Sequence, residues 1–402
     1  MPVTVKRKAD RTRRPSATAG WESTPIVISL MNRNTTVLGG QEVRWGRIVQ
    51  GLTAVDTSKL TILCTSSLVE AWESSEIGPI NAQLSIFTER RSKLGTWIAA
   101  QIFALRRIPR GAIVHLTGPG MLILPAAVIA RTLKRCKVVT SLTTSRVLPF
   151  RKERFPRKGY WLFWAALKIS HLVDALNPQI DIRGMIDPDK LSIAPCSFSD
   201  MERFRSANRK ANHVVFAGHL NWQKGSDLLV GIVRQWPRNT DCKLVICGSG
   251  PYESQIRSAA GNRQDIEIRR TQKLEDVFAD AKVFLSVQQW DNYPSQALLE
   301  AMLCECSVVA TDVGDTGLLV QPPWGRRLPL DSPPGDYIEA AMQFLQLDDR
   351  IQRAGGSAAR EFVTKHHSRE RYLEYLRSVW AAAGTSGRVP APHTDPFERR
   401  AL

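Results

Sequence analysis

The stretch Trp290–Gly314, WDNYPSQALLEAMLCECSVVATDVG, combines a turn, a helix and a buried strand. Pro294 and Ser295 mark the start of the helix, and Ser307–Thr311 has the β-branched composition of a buried strand. A helix that begins at the carboxyl end of a parallel strand directs backbone N–H groups and its positive dipole end towards that edge of the sheet. The stretch therefore predicts an α/β fold with a site for an anion such as a diphosphate.

Glu300 lies in the middle of this predicted helix, in the apolar context ALLEAML. A carboxylate in such surroundings is desolvated unless hydrogen-bond donors reach it, and a ribose diol supplies two. The alternative is a glutamate that is exposed to water and stabilised by the helix dipole.

Short β-branched segments alternate with longer amphipathic stretches, which predicts parallel sheets with crossover helices. The first series of predicted strands is Ile26–Leu30, Leu60–Cys64, Ile113–Leu116, Lys137–Thr140 and Leu191–Ala194. The second series is His213–Ala217, Lys243–Cys247, Asp265–Ile268, Lys282–Val287 and Ser307–Thr311. The polar stretch Arg203–Asn212 separates the two series, so we predict two Rossmann-like, doubly wound domains in tandem that face each other across a cleft.

The predicted boundaries follow from these patterns. They are a disordered basic tail over residues 1–22, a first domain over 23–205, a second domain over 206–367, a C-terminal helix over 368–383 and a flexible end over 384–402. The C-terminal helix is predicted from the amphipathic run SRERYLEYLRSVW, and the apolar run Met121–Ala130 is interpreted as a buried helix.

The net charge of +17 is concentrated in the first half of the chain. Residues 1–210 contain 33 Lys and Arg against 15 Asp and Glu, whereas residues 211–402 contain 22 against 23. Such a field attracts phosphate-rich lipid surfaces or nucleic acid. The segment Arg146–Lys168 adds aromatic residues to cations, which suits a membrane interface, stacking on nucleic-acid bases, or simply a core helix. We favour peripheral contact with an anionic membrane through the first domain.

The seven cysteines are scattered and form no CxxC pair, which suits buried structural thiols in a reducing compartment. No apolar run reaches the roughly 20 residues of a membrane-spanning helix. The basic start of the chain has no apolar core behind it and does not resemble a secretory signal. We therefore expect a cytoplasmic protein.

The segment around Glu300 resembles the signature of glycosyltransferase family 4, a retaining family with the two-domain GT-B fold. Four other stretches fall in the order of that family: LGGQE at Leu38–Glu42, IAPCSFSDMERF at Ile193–Phe204, FAGHLNWQKGSDLL at Phe216–Leu229 and VICGSGPYESQI at Val245–Ile256. The likeness is strongest over 213–320 and weak over 43–190. It implies a second domain that binds a nucleotide sugar and a first domain that binds a variable acceptor.

The resemblance implies roles for residues around the donor. Lys224 matches the lysine that holds the donor diphosphate, and His219 stands where the family usually has an arginine. Glu300 matches the second of two acidic residues and implies a ribose contact. The first acidic residue, which contacts the donor sugar, corresponds to Asp291 if the loop is one residue longer, or to Asn292 at the strict spacing; we favour Asp291.

Several smaller residues complete the predicted site. Gly248 and Gly250 permit close approach of backbone to the nucleotide, or serve a tight turn, and Gly39 and Gly40 form a Gly-rich loop near the donor. Ser295 lies at the start of the helix that faces the diphosphate. His115 and Thr117 are candidate contacts to the transferred sugar, the alternative for His115 being a strand-end histidine satisfied by backbone.

The mechanism that the family implies needs no separate base, because the departing phosphate oxygen takes the proton of the acceptor. It needs no metal ion, and Asp187 and Asp189 in DPD are interpreted as a proline turn. We expect transfer from a UDP- or GDP-sugar to a glycan, carried on a lipid, in surface polysaccharide synthesis. A degenerate protein that binds nucleotide sugars without turnover and a basic nucleic-acid binder remain alternatives; an epimerase would need catalytic acids that the first domain lacks.

Overall fold

A computed structural model describes most of both predicted domains. The described residues are 24–31, 38, 40–53, 59–75, 77–80, 83–90, 92–118, 122–142, 164–176, 187–238, 241–271, 273–290 and 292–385. The predicted tail over 1–22, residues Gly39 and Asp291, most of the basic aromatic segment and the end from 386 lie outside them.

The first domain is built on a parallel sheet of seven strands. These are β1 (Ile26–Leu30), β2 (Leu60–Thr65), β3 (Leu84–Phe87), β4 (Ile113–Leu116), β5 (Lys137–Leu142), β6 (Leu172–Ala175) and β7 (Leu191–Ile193), in the spatial order β3-β2-β1-β4-β5-β6-β7. The order reverses between β1 and β4, and ligands of such sheets bind beyond the carboxyl ends of the strands at that point.

Helices cover both faces of the first sheet. They are α1 (Gly40–Thr53), α2 (Ser66–Glu73), α3 (Lys93–Arg107), α4 (Leu124–Leu133) and α5, of which residues 164–169 are described. The side chains of α1 and α2 belong to one core with Ile28 and Ile62 of the sheet. Those of α3 and α4 belong to a second core with Val114 and Val138.

The second domain repeats this architecture with six parallel strands. They are β8 (Ala211–Ala217), β9 (Lys243–Cys247), β10 (Ile266–Arg269), β11 (Ala281–Ser286), β12 (Ser307–Thr311) and β13 (Gly325–Leu328), in the order β10-β9-β8-β11-β12-β13. The helices are α6 (Ser226–Gln235), α7 (Glu253–Ala260), α8 (Leu274–Asp280), α9 (Gln296–Leu303), α10 (Pro334–Leu345) and α11 (Asp349–His366). The predicted GT-B fold of two facing Rossmann-like domains is confirmed.

The last helix, α12 (Arg369–Gly384), returns to the first domain. Leu373, Leu376 and Val379 of this helix belong to the same core as α1 and β1. The crossing point is His367, whose Nδ1 accepts a hydrogen bond from the Ser197 backbone N–H at 3.3 Å. The chain thus passes between the domains twice, once before β8 and once before α12, and the helix predicted over 368–383 completes the core of the first domain.

Three strands were not predicted from the sequence, and each has a physical reason. The strand β3 is only four residues long and contains Ser85, β6 carries the buried Asp174, and β13 exposes Arg326 and Arg327 at the edge of its sheet. Length and polar residues weaken a hydrophobic pattern, so these strands depend on their neighbours in the sheet.

The thiols behave as small buried side chains. All seven cysteines are free and buried. Burial raises the pKa of Cys64 to about 12 and that of Cys196 to about 11. Reactive thiolates need the opposite shift. Within the described ranges, no helix combines the length and apolarity that a membrane crossing requires.

Candidate functional site

Two loops meet at the carboxyl edge of the second sheet. The loop after β8 lies against the loop after β9, with backbone hydrogen bonds from Gly218 N to Cys247 O at 3.0 Å and from Leu220 N to Ser249 O at 2.9 Å. A Cβ on Gly248 would lie 2.0 Å from the Gly218 carbonyl oxygen, and one on Gly250 would lie 2.4 Å from the Leu220 carbonyl oxygen. Both glycines are thus required for close approach of these two loops.

Lys224 is fixed at this edge by the turn that contains it. The Asn221 side chain accepts a hydrogen bond from the Lys224 backbone N–H at 3.0 Å. Gly225 follows at φ 73°, and a Cβ there would lie 1.6 Å from the Val287 carbonyl oxygen, so only glycine fits. The Lys224 Nζ lies 3.4 Å from Oε1 of Gln288, just beyond β11. The ammonium therefore lies at the mouth of the sheet.

His219 belongs to the same loop after β8 and is exposed. Its backbone carbonyl accepts a hydrogen bond from Asn221 N at 2.8 Å, which tightens the loop towards Lys224. The His219 and Lys224 side chains, which the sequence assigns to the diphosphate, therefore lie on the same short loop.

The helix α9 begins at this mouth. Ser295 is its N-cap, is 6% exposed and makes no side-chain capping bond. The first-turn N–H groups of α9 are therefore not capped by the Ser295 hydroxyl, and such groups bind anions. Asn292 is exposed in the loop before the helix. Asp291, the favoured sugar contact, lies outside the described residues.

Glu300 is buried, with 6% of its surface exposed. Its Oε1 accepts a hydrogen bond from Nε2 of Gln296 at 3.0 Å and lies 3.6 Å from NH1 of Arg47. Polar partners thus accompany the desolvated carboxylate, as its apolar sequence context requires. The alternative of a glutamate exposed to water is therefore wrong for Glu300.

Arg47 was not predicted as a site residue, although it belongs to the first domain and reaches the second. It lies on α1, three residues after Arg44, so both point from the same side of the helix. The Arg44 guanidinium stacks 4.3 Å from the ring centroid of Tyr372 and donates to Ser197. The available sequence signal was a pair of arginines three residues apart, shortly after the Gly-rich stretch LGGQE. Gly40 is the first residue of this helix, and Gly39 lies outside the described residues.

His115 and Thr117 lie in the interior of the first domain, each with 0% exposure. The Thr117 hydroxyl donates to the Ser29 carbonyl oxygen at 2.8 Å. The His115 ring accepts from the Trp380 indole N–H at 3.1 Å through Nδ1 and lies 2.7 Å from the Ser141 hydroxyl through Nε2. In this conformation, neither side chain is available to the transferred sugar. The alternative of a histidine satisfied by backbone is wrong, because the partners of His115 are the Trp380 and Ser141 side chains.

The His115 contacts belong to a longer buried network. Ser141 donates to Oδ2 of Asp174 at 2.7 Å, and the Tyr375 hydroxyl donates to Oδ1 at 2.6 Å. Because Nδ1 of His115 accepts from Trp380, Nε2 carries the proton and donates to Ser141. Burial lowers the pKa of His115 to about 3 and raises the pKa of Asp174, against the hydrogen bonds from Tyr375 and Ser141. The network joins α12 to three strands of the sheet.

Potential metal ligands do not cluster in the part of the chain that the structure describes. No cluster of three or more His, Cys, Asp or Glu residues there has the geometry to hold one. Asp187 instead caps the turn at Pro188–Lys190, where its Oδ1 accepts from Asp189 N at 3.0 Å. The predicted proline turn is observed.

A cavity of about 900 Å³ lies at the opposite edge of the second sheet. Its walls include Lys210, Lys282, Glu305 and Gln352, near the amino ends of β8, β11 and β12. It is separate from the mouth that contains Lys224 and Glu300.

Comparison with known proteins agrees with this geometry. Residues 211–346, which include Lys224, the glycines at 248 and 250 and Glu300, match the family model described as Glycosyl transferases group 1. The matched region is thus similar to the domain that this family model describes. No curated protein sequence matches the chain significantly.

Several solved structures share the fold over nearly the whole chain. HepE from Anabaena, in complex with UDP and glucose, is 14% identical, with 87% of this chain and 97% of that chain covered and a TM-score of 0.68. Sucrose-phosphate synthase from Thermosynechococcus elongatus is 15% identical, with 89% and 98% covered and a TM-score of 0.65. A TarM variant from S. aureus, in complex with fondaparinux, α-GlcNAc-glycerol and UDP, is 12% identical, with 90% and 100% covered and a TM-score of 0.67.

Proposed function

We propose that this protein is a group 1 glycosyltransferase, a retaining enzyme of family 4 that transfers a sugar from a UDP- or GDP-sugar to a glycan. One observation carries the proposal: the Lys224 ammonium, the uncapped start of α9 and the buried Glu300 carboxylate border the same mouth of the second sheet. A cation and helix N–H groups suit a diphosphate, and a desolvated carboxylate suits a ribose diol. The UDP complexes of HepE and TarM support a nucleotide-sugar donor.

Each group has a part in the proposed transfer. The donor diphosphate lies between Lys224, His219 and the N–H groups that follow Ser295, while Glu300 accepts hydrogen bonds from the ribose. Asp291, or Asn292 in its place, contacts hydroxyls of the transferred sugar. Gly39 and Gly40 form the facing loop of the first domain.

The proposed reaction breaks the bond between the anomeric carbon and the diphosphate oxygen. The acceptor hydroxyl forms the new bond on the same face of the sugar, and its proton passes to the departing phosphate oxygen, so the configuration is retained. Negative charge grows on the diphosphate as the bond breaks. Lys224, His219 and the start of α9 stabilise this charge, which is the role that a metal ion would otherwise have.

We propose a lipid-linked glycan as the acceptor, at the cytoplasmic face of the membrane during surface polysaccharide assembly. The basic first half of the chain supports this, since it is the domain opposite the donor site that carries the excess charge. An acceptor on an anionic diphosphate lipid would be attracted by that field. Most of the segment 146–168, the first candidate for the membrane contact, lies outside the described residues.

Thermal stabilisation by UDP, GDP, ADP and their common sugars tests the donor site, because a ligand that binds only the folded state raises its stability with occupancy. We expect a shift with a uracil or guanine nucleotide in the native protein. Lys224→Ala and Glu300→Ala should abolish it. Lys243→Ala, at the amino end of β9, and Glu339→Ala, exposed on α10, should keep it.

Each result has a distinct meaning. No shift with any nucleotide would refute the donor-site assignment. A shift without release of free nucleoside diphosphate from the nucleotide sugar, in the presence of lipid-linked acceptor extracts, would favour a binding protein without turnover.

A further inference from the structure

Exposed apolar side chains are concentrated on two helices of the first domain. Among the described residues, the large hydrophobic side chains with high exposure on α3 and α4 are Leu94, Trp97, Ile98, Ile102, Val128, Ile129 and Leu133. Only two such residues, Leu330 and Ile351, occur in the described part of the second domain. Isolated exposed hydrophobic residues are common, but a group on neighbouring helices marks an interaction surface.

The two helices pack side by side, so these residues form one surface. Gln101 of α3 donates to the Leu122 carbonyl oxygen at 2.8 Å and accepts from Ala126 N of α4 at 3.0 Å. At the other end, Lys134 donates to the Ile108 carbonyl oxygen at 2.6 Å. Ile98, three residues before Gln101, and Ile129, three residues after Ala126, lie next to this seam.

The inner faces of the same helices already supply the core. Ala100 and Ala104 of α3 and Ala126 and Ala130 of α4 are fully buried against the sheet. The outer apolar residues leave between 37% and 75% of their surface exposed. We refer to the seven residues on α3 and α4 as the apolar face.

The charge around the apolar face has one sign. Residues 90–142 contain ten Lys and Arg and no Asp or Glu. Arg106, Arg110 and Arg135 are exposed near the ends of the two helices. Apolar side chains surrounded by cations fit the boundary between the headgroups and acyl chains of an anionic bilayer. A second copy of the chain would bring two groups of cations together, which opposes a symmetric dimer through this face.

We propose that the apolar face of α3 and α4 docks the protein onto an anionic lipid bilayer. Trp97, Ile98, Ile102 and Leu133 enter the interface, and Arg106, Arg110 and Arg135 contact lipid phosphates. The inference specifies the membrane contact of the proposed function and rests on it for the choice of a lipid partner. It places that contact on helices outside the basic aromatic segment.

Vesicle sedimentation with the full chain tests the inference. The probes are vesicles of phosphatidylglycerol mixed with phosphatidylcholine and vesicles of phosphatidylcholine alone. The test variant is Ile102→Glu/Leu133→Glu, whose parent side chains are 48% and 75% exposed. The control is Leu330→Glu/Ile351→Glu, whose parent side chains are 49% and 58% exposed in the second domain and which changes the net charge equally.

We expect the native protein to bind the anionic vesicles and the test variant to bind at least about tenfold more weakly. The control should stay within about twofold, and all three should have similar melting temperatures. Arg106→Gln/Arg110→Gln/Arg135→Gln, which keeps the apolar residues, should weaken binding and reduce its dependence on salt.

Equal binding by the test variant and the control would overturn the inference. So would a native dimer that the test variant dissociates while vesicles of either kind bind nothing, because the face would then join protein chains. The assay contains no nucleotide sugar, so its failure leaves the thermal shifts by nucleotides unaffected and separates this inference from the donor-site proposal.

Discussion

At the mouth of the second sheet, Lys224 and Glu300 border the cleft, whereas near the carboxyl edge of the first sheet His115 and Asp174 are buried beneath α12. Both sheets are parallel and doubly wound, and both carry polar side chains close to their strand ends. The difference arises because Trp380 and Tyr375 of α12 contact these polar groups in the first domain. The returning helix thus encloses the polar network of the first sheet, while the charged groups of the second sheet border its mouth.

The two domains of the GT-B fold use their polar side chains differently. In the proposed function the polar groups of the second domain bind the nucleotide, while those of the first domain fix the returning helix. Changes at the mouth of the second sheet should therefore alter ligand binding and turnover. Changes in the buried network of the first domain should alter stability.

The largest effect is expected at Lys224. Lys224→Ala removes a cation from the place where charge grows on the diphosphate and should lower turnover by about 10²- to 10³-fold. Release of nucleoside diphosphate from the donor found in the nucleotide screen measures this. Lys243→Ala is the matched control and should retain nearly full activity, because the Lys243–Glu267 ion pair is partly exposed at the amino end of β9. Retained activity in Lys224→Ala would remove this residue from the diphosphate site.

Asp174→Ala tests the buried network of the first domain. It leaves the buried hydroxyls of Ser141 and Tyr375 without their acceptor and should lower the free energy of unfolding by about 3 kcal/mol. Nucleotide affinity should stay within about twofold. Denaturant unfolding and isothermal titration measure the two quantities, with Asp331→Ala, an exposed aspartate, as the control. A loss of nucleotide affinity without a loss of stability would mean that the network belongs to the ligand site.

The pH dependence of stability sharpens the same contrast. Burial holds the pKa of His115 at about 3, below its ordinary value of 6.5. The unfolded chain therefore takes up a proton as the pH falls through 6.5, whereas the native state does so only near 3, and the free energy of unfolding falls between these values. At pH 5 the loss is about 2 kcal/mol for this histidine. Burial also lowers the pKa of His367 to about 3, which adds a similar loss.

Unfolding by denaturant at pH 7 and pH 5 measures this dependence. The variant His115→Gln should show a decrease about 2 kcal/mol smaller than that of the native protein, whatever its stability at pH 7. An unchanged decrease would indicate that His115 is accessible to protons in the native state.

The smallest effect is expected at Arg47, which lies on α1 of the first domain and contacts Glu300 of the second. Arg47→Ala removes the cation beside the buried Glu300 carboxylate and should weaken nucleotide binding roughly tenfold. Arg47→Lys keeps the charge and should bind within about threefold of the native protein. Isothermal titration distinguishes the cases, and tighter binding by Arg47→Ala would show that Arg47 competes with the donor for Glu300.

The sequence by itself determined the class of fold and most of the strands. Ile26–Leu30, Ile113–Leu116, Lys243–Cys247 and Ser307–Thr311 have the bounds that the β-branched runs predict. Hydrophobic periodicity is a local property, so a buried strand or an amphipathic helix can be identified from its own residues. The grouping of Lys224 and Glu300 was also accessible, because each follows a strand whose carboxyl end must face the cleft.

Only the tertiary structure decided which polar groups are enclosed in the interior and which border the mouth of a sheet. Residues more than 200 positions apart in the sequence make the contacts between Asp174 and Tyr375, between His115 and Trp380, and between Arg47 and Glu300. The glycines at 248 and 250 likewise serve a neighbouring loop that the local pattern does not identify. Hydrogen bonding and desolvation depend on every neighbour in space, and a linear pattern contains only the neighbours in the chain.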